Sequence, residues 1–343
     1  MTEKFSSILK DKHDLTYNQA VKAMNNILQG KNTTSQNVDF MTNLYAKGET
    51  DAEILGMLDS IDSFCVPVPL KDNSVIDMCG TGGDGLNTFN ISTAASFVAA
   101  SAGAIVAKHG NRSSSYAGSA DIFEWLNYNL SGNALYVSDF LQETHLCFMF
   151  APTFHSSMKH VAIARRQIPH RTIFNILGPL CNPARVKNQV IGVSAEKYLH
   201  SLPPLLINRG ANRIMTIISS NGMDELSSCD TGKISFQTRD SKTNQDIIPE
   251  NLGLRRSTLS ELSVTSFTDA ISKFINGVKG TGTRGMTDTI TLNAAAGLAV
   301  SGIASNIQEG LDLALDVMNS GKSEKLLLDF MKKTGCKQKL DVT

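Results

Sequence analysis

Over roughly the first seventy residues, apolar and polar positions repeat with a helical period. In "LTYNQAVKAMNNILQG", Ala20, Met24, Ile27 and Leu28 fall on one stripe. Thr16 stands where an N-cap hydroxyl belongs, and Gly30 where a helix stops. "SQNVDFMTNLYAKG" repeats the pattern from Ser35 to Gly48. "TDAEILGMLDSIDSF" predicts another helix, with Thr50 and Glu53 spaced as a capping box. Pro67 and Pro69 in "VPVPLKD" end the series, because proline is disfavoured in helix interiors.

Beyond the prolines the pattern changes to short apolar runs between glycine-rich turns. "SVIDMC", "AIVAKHG", "NQVIGVS" and "NRIMTIISS" read as buried strands, and "KISFQTR" as a further one. "STAASFVAASAGA" reads as a helix of small residues, and "KYLHSLPPLLINRG" as a helix broken at Pro203 and Pro204. "MKHVAIARRQI" predicts a helix carrying Lys159, Arg165 and Arg166, and "RTIFNILGPLCNPA" runs into a Gly-Pro turn. The chain closes in helices at "TLNAAAGLAVSGIA", "IQEGLDLALDVMNSG" and "SEKLLLDFMKK". Alternation of strand and helix predicts parallel pairing. The expected fold class is α/β, with a small all-α N-terminal domain over 1–70. A larger α/β domain over 71–343 carries a mostly parallel sheet flanked by helices.

Composition narrows the function classes. The chain has 343 residues, room for two domains, and its 32 Lys plus Arg balance 32 Asp plus Glu. No net field draws it to nucleic acid or to an anionic membrane, so local charge must do any anion recognition. No apolar run approaches the roughly 18 residues of a membrane span. "MTEKFSSILKDKHDL" lacks the apolar core of a secretory signal. The six cysteines are irregularly spaced with no C-x-x-C, which disfavours a zinc site and reads as free thiols. The expected location is the cytoplasm.

One loop invites a specific chemistry. In "CGTGGDGLNTFNIS", Gly80, Gly82 and Gly85 spell G-x-G-x-x-G, the dinucleotide fingerprint. A strand precedes it, as that site requires. The helix starts late, however, with its N-cap at Asn90 or Ser92. The next strand ends in Lys108 and His109, where a ribose-binding acid belongs. Lysine favours a phosphate. The run reads instead as a phosphate cradle of another kind, built from close-approaching backbone amides and a helix N-terminus. Gly85 is incidental to that cradle.

Two further loops fit it. "KHGNRSSSYAGSAD" brings the charges of Lys108 and Arg112, and donors from Asn111, Ser113, Ser114, Ser115 and Ser119. In a parallel sheet this loop should face the glycine loop. "IMTIISSNGMDELSS" places Asp224 and Glu225 just past a buried strand. Adjacent carboxylates repel unless something positive neutralises them, and Mg²⁺ is the natural partner where phosphate oxygens complete its shell.

Together these segments resemble the anthranilate phosphoribosyltransferase family, within the nucleoside phosphorylase and phosphoribosyltransferase fold group. The match runs nearly the whole chain, through "GTGGD", "FNISTAAS", "KHGNR", "GSAD", "RTIFNILGPLCNPA", "GMDE" and "LNAAAGLAVSG". The resemblance implies a homodimer formed through the helical domain, with part of 162–185 returning to that domain. It implies transfer of phosphoribose from phosphoribosyl pyrophosphate to the amine of anthranilate, in tryptophan biosynthesis. Gly80, Thr81, Gly82, Gly83, Asp84, Thr88, Asn90, Ser92, Thr93, Lys108 and Ser119 would bind phosphoribosyl pyrophosphate. Gly80, His109, Asn111, His155 and Arg165 would face anthranilate, with Arg165 on its carboxylate and neighbouring Arg166 as the alternative. Ser92, Asp224 and Glu225 would hold Mg²⁺, two ions per active site. No residue is assigned as a certain acid or base; Asp84, Lys108 and Arg165 would act by position and charge. "HSSMK" stands where relatives have "HPAMK", Pro169 replaces a frequent Gly, and Tyr116 lies in a slightly shortened loop.

Three other readings are open to test. A pyrimidine nucleoside phosphorylase of the same fold group would not need a metal-bound pyrophosphate. A silent relative that binds nucleic acid would show a basic surface and eroded substrate loops. A dinucleotide enzyme would carry an acid where Lys108 stands.

Overall fold

The computed structural model describes residues 2–70, 72–113 and 116–338. The chain divides into two compact units, Met1–Pro67 with Ala151–Arg185, and Val68–Phe150 with Val186–Thr343.

The first unit is helical. Helices Tyr17–Leu28, Thr34–Lys47 and Asp51–Phe64 begin at capping boxes, Thr16 with Gln19, Thr33 with Gln36, and Thr50 with Glu53. Ala20, Met24, Ile27 and Leu28 are buried as the period predicts. Glu53 is fully buried and does more than cap. It accepts from Leu15 N and Thr50 N at 2.8 Å and from Lys47 Nζ at 2.9 Å, joining a loop and two helix ends. The returning segment adds helices Ala151–Phe154, Lys159–Arg166 and Ile173–Leu180. Gly178 and Pro179 lie inside the last of these, not in a turn. Leu180 is the final residue of that helix, so the missing proline N–H falls in its last turn.

The second unit is a seven-stranded sheet with helices around it. Its strands are β1 (Ile76–Gly80), β2 (Val106–Gly110), β3 (Leu146–Phe150), β4 (Asn188–Gly192), β5 (Arg213–Ser219), β6 (Gly232–Thr238) and β7 (Lys242–Ile247). The order is β3-β2-β1-β4-β5-β6-β7. β1 to β5 pair in parallel, and β6 and β7 add antiparallel. Helix Arg284–Ser301 is buried along nearly its whole length, as its small residues allow. A cluster of rings including Phe97, Phe123, Phe148 and Phe330 fills the core beside β3.

The expected break at Pro203 and Pro204 does not occur: Glu196–Asn208 is one helix. Pro203 cannot donate to the Leu199 carbonyl one turn back. The Thr216 hydroxyl, from β5 beneath, donates to that carbonyl instead at 2.5 Å. A buried acceptor left alone costs about 1–3 kcal/mol. Thr216→Val should therefore lower unfolding free energy by about 1–3 kcal/mol, read from urea melts. In a Pro203→Ala background, where the helix N–H returns, the loss should shrink to a fraction of that. Equal losses in both backgrounds would mean that the hydroxyl does not replace the proline's missing bond.

Candidate active site

The sheet order reverses at β1. From there the chain winds out through β2 to β3, and β4 and β5 lie on the other side. Such a switch leaves a crevice outside the carboxyl ends of the strands. β1 and β4 end there on facing glycines, Gly80 and Gly192. Their missing side chains admit Asp224 from the loop after β5. A Cβ at Gly80 would strike Asp224 Oδ2, and one at Gly192 would strike the Asp224 carbonyl oxygen. Gly82 N donates to Asp224 Oδ2 at 2.6 Å, tying the acid loop to the glycine loop. One ligand oxygen each from Asp84, Asp224 and Glu225 then lies within 4.8 Å of the others.

The glycine loop owes its shape to left-handed backbone. Gly82, Gly83 and Gly85 have φ of 63°, 72° and 78°. Gly85 thus serves the chain path, a role that its place in the fingerprint did not reveal. Thr81 N donates to Gly192 O at 2.9 Å, and Thr81 Oγ1 to Ser194 Oγ at 3.2 Å. Thr88 bridges to Ser263, and Phe89 N donates to Leu262 O at 2.9 Å, which fixes the approach to helix Ile91–Ser101. Asn90 is the N-cap residue of that helix, as expected, but its side chain makes no capping bond. Its Nδ2 donates to Ala117 O at 3.1 Å, and its Oδ1 is buried without a partner among the described residues.

The basic loop is joined to the same helix. Thr93 Oγ1 donates to Ser119 Oγ at 3.0 Å. Lys108 is almost fully buried and donates to Ser92 Oγ at 3.2 Å and to the Met78 carbonyl. That second bond has a structural reason. β1 and β2 are in register only at Ile76 and Val106. Beyond that point side chains span the gap: Lys108 reaches Met78, and His109 N donates to Asp77 Oδ1 at 3.2 Å. Burial pushes the Lys108 ammonium down, while Asp77 holds it up.

Arg112 departs from the expectation that it offers charge to an anion. It pairs with Asp121 at 2.5 Å and Glu124 at 2.7 Å, so its charge is matched inside its own unit. Asn111 is exposed, and its Oδ1 accepts from Arg112 N at 2.8 Å. Ser114 and Ser115 lie outside the described residues.

His155 and Arg165 belong to the helical unit. His155 is buried, and its Nε2 donates to the Cys181 carbonyl at 2.8 Å. Burial pushes its pKa down, which favours the neutral ring, and in that form Nδ1 is the acceptor nitrogen. Arg165 is exposed, with its guanidinium 5.8 Å from the Phe174 ring centroid.

Asp84, Asp224 and Glu225 suit a divalent cation. They offer hard oxygen donors, and Lys108, which opposes the charge of Glu225, is already bonded to the Met78 carbonyl and Ser92. Burial raises the Asp224 pKa, with Asp84 adding to it against the Gly82 amide bond, which lowers it; burial first, then Asp224 and Asp84, pushes Glu225 well above its ordinary value. Asp84 was assigned to substrate from sequence; its convergence on the pair emerges only in the fold. Asn293 and Ser219, which hold the acid loop's backbone, were also missed. The one available signal was an isolated amide in the small-residue run "LNAAAGLAV".

Residues 72–324 match the glycosyl transferase family, a/b domain, and residues 6–65 the glycosyl transferase family, helical bundle domain. The chain is 47% identical over 336 residues to an anthranilate phosphoribosyltransferase of Nitrosopumilus maritimus (strain SCM1), covering 97% of each. It is 40% identical over 329 residues to that of Cenarchaeum symbiosum (strain A), covering 95% of this chain and 96% of the relative. The crystal structure of anthranilate phosphoribosyltransferase from Thermus thermophilus superposes with TM-score 0.88 at 30% identity, over 96% of this chain and 99% of that one. The Saccharomyces cerevisiae enzyme "in complex with PRPP and Mg" shares the fold, with TM-score 0.85 at 24% identity over 97% and 98% of the two chains.

The acid pair has a pH signature. Its folded-state pKa values are raised, so its destabilising charge is absent below the ordinary carboxylate range and grows as pH rises through it. Without divalent ions near neutral pH, Glu225→Gln should melt higher than the parent, by about 2 °C per kcal/mol relieved. The gap should close as pH falls toward about 4.3. Scanning calorimetry across that range checks it; a variant less stable at neutral pH, or a gap widening in acid, would contradict it.

Proposed function

The chain belongs to the anthranilate phosphoribosyltransferases of the glycosyl transferase family, and we infer from that membership how its residues divide the reaction. The enzyme transfers the phosphoribosyl group of phosphoribosyl pyrophosphate to the amine of anthranilate. The bond from ribose C1 to the pyrophosphate oxygen breaks, a C1–N bond forms, and the amine loses a proton. The products are N-(5-phosphoribosyl)-anthranilate and pyrophosphate. The observation that carries this reading for the site is the convergence of Asp84, Asp224 and Glu225 beside the glycine loop. The phosphorylase alternative has no such use for an acid cluster, and the relatives do not support it.

Gly80 to Asp84, with Thr88, Asn90, Ser92, Thr93 and Ser119, would take the phosphorylated sugar. Support comes from the left-handed glycines, whose amides can turn toward an anion, and from the helix that starts after Asn90. Asp224 and Glu225, with Asp84 beside them and Ser92 toward the phosphates, would hold Mg²⁺, two ions in the full site. Bound there, the ion supplies positive charge against the departing pyrophosphate. Lys108 would keep Ser92 turned to the phosphate side and add charge from beneath. Ribose C1 gains oxocarbenium character as its bond to the pyrophosphate oxygen breaks.

His109, Asn111, His155 and Arg165 would face anthranilate. Arg165 is the better candidate than Arg166 for its carboxylate, because Phe174 supports the guanidinium plane. The amine of anthranilate is already unprotonated near neutral pH, so positioning can replace a strong base. The buried, neutral His155 fits a site that orients without bringing charge. We further infer a homodimer through the helical unit, which exposes Tyr17, Tyr45, Val66 and Ile163. Six free cysteines fit a reducing cytoplasm. The product would enter tryptophan biosynthesis.

Mixing the protein with anthranilate, phosphoribosyl pyrophosphate and Mg²⁺ should quench anthranilate fluorescence as the product forms. Asp224→Ala with Glu225→Ala should lower kcat by at least about 100-fold. Arg165→Ala should raise the anthranilate KM by about ten-fold and leave that for phosphoribosyl pyrophosphate nearly unchanged. Bound anthranilate with no loss of fluorescence would sink the reaction, and full activity in the double variant would sink the metal assignment.

A further inference from the structure

Asp224 and Glu225 stand on a loop, since β5 ends at Ser219. Their mutual repulsion would spread a free loop, so the backbone next to them needs a restraint. One buried side chain supplies it. Asn293, on helix Arg284–Ser301, is 2% exposed. Its Oδ1 accepts from Leu226 N at 3.2 Å, and its Nδ2 donates to Leu226 O at 2.7 Å. The other Nδ2 proton goes to Thr289 O at 2.8 Å. The amide thus grips both main-chain groups of the residue that follows Glu225, as a neighbouring strand would. Ser219 Oγ donates to Glu225 O at 2.7 Å and holds the other side.

The chemistry selects an amide. An aspartate would face the Thr289 and Leu226 carbonyls with a charge and no donor, and alanine would reach neither Leu226 group. Asn293 is itself too enclosed by these bonds to meet substrate.

We propose that Asn293 is a positioning residue for the divalent cation, acting through Leu226 to keep Asp224 and Glu225 converged. The proposal rests on the metal reading above. Mn²⁺ is the probe, with free ion counted by electron paramagnetic resonance as protein is titrated. Asn293→Ala should weaken Mn²⁺ binding by about ten-fold, in line with other residues that orient metal ligands. Ser219→Ala, which removes a single bond and spares the fold, should weaken it less but measurably. Val300→Ala removes buried volume about two turns farther along the same helix and should leave Mn²⁺ affinity unchanged. At saturating Mg²⁺ the anthranilate KM of Asn293→Ala should match the parent's. Parent-like Mn²⁺ binding in both Asn293→Ala and Ser219→Ala overturns the proposal alone. Equal weakening in Val300→Ala also overturns it, since packing would then explain the effect. Parent-like binding in Asp224→Ala with Glu225→Ala removes the metal reading, and this proposal with it.

Discussion

Like charges held close together set the terms for the α/β unit. Oxygens of Asp84, Asp224 and Glu225 approach within 4.8 Å of one another. Unit charges at that distance repel by about 3–4 kcal/mol at an effective dielectric near 20. Lys108 opposes this at Glu225, but its ammonium is already shared between the Met78 carbonyl and Ser92. The fold therefore holds the acids mechanically. Gly80 and Gly192 leave the floor bare, Gly82 N fixes one oxygen of Asp224, and Ser219 and Asn293 fix the backbone around Glu225. Proton uptake relieves the strain in the free protein, and a divalent cation would relieve it in use.

The same constraint explains how little side-chain positive charge the basic loop offers the crevice. Arg112, whose charge was expected to serve anion recognition there, is matched by Asp121 and Glu124. On the proposed reading, recognition would fall instead to backbone amides, small hydroxyls and a cation held by the acids. Such a site stabilises charge that develops on a leaving group without a fixed guanidinium that would also hold the product. It does so with the strand ends already splayed: β1 and β2 lose their ladder after Ile76 and Val106, and Lys108 and Asp77 span the opening. A buried ammonium is costly, but here it replaces ladder bonds that the splay removes.

Local signals read well from sequence, and tertiary compensation did not. The capping boxes at Thr16 and Thr50 declared themselves by spacing, and so did the stripe from Ala20 to Leu28. The parallel strands before the glycine and basic loops followed from short apolar runs. β7 was not legible, because "KTNQDI" is an exposed edge strand with almost no apolar residue. The break expected at Pro203 failed because the hydroxyl that repairs it lies on another element. At the site, residue types at strand ends identified the loops and the acid pair. They could not show that Arg112 is internally paired, or that Asp84 turns toward Asp224. Both depend on distances that close only when the sheet forms.

One class of signal was available and points to a general reading. Gly192 ends a buried strand, where a β-branched residue would be preferred and glycine weakens the ladder. Asn293 puts an amide between Leu292 and three alanines of a buried helix, where burial penalises it unless every group is bonded. Each residue is locally unfavourable, and each is required by the approach of Asp224 or Leu226. Local cost accepted in two separate elements, for contact with one loop, marks that loop as the place whose geometry the fold most needs to keep. The carboxylates point the same way from the other direction, since they are groups that would gain by moving apart.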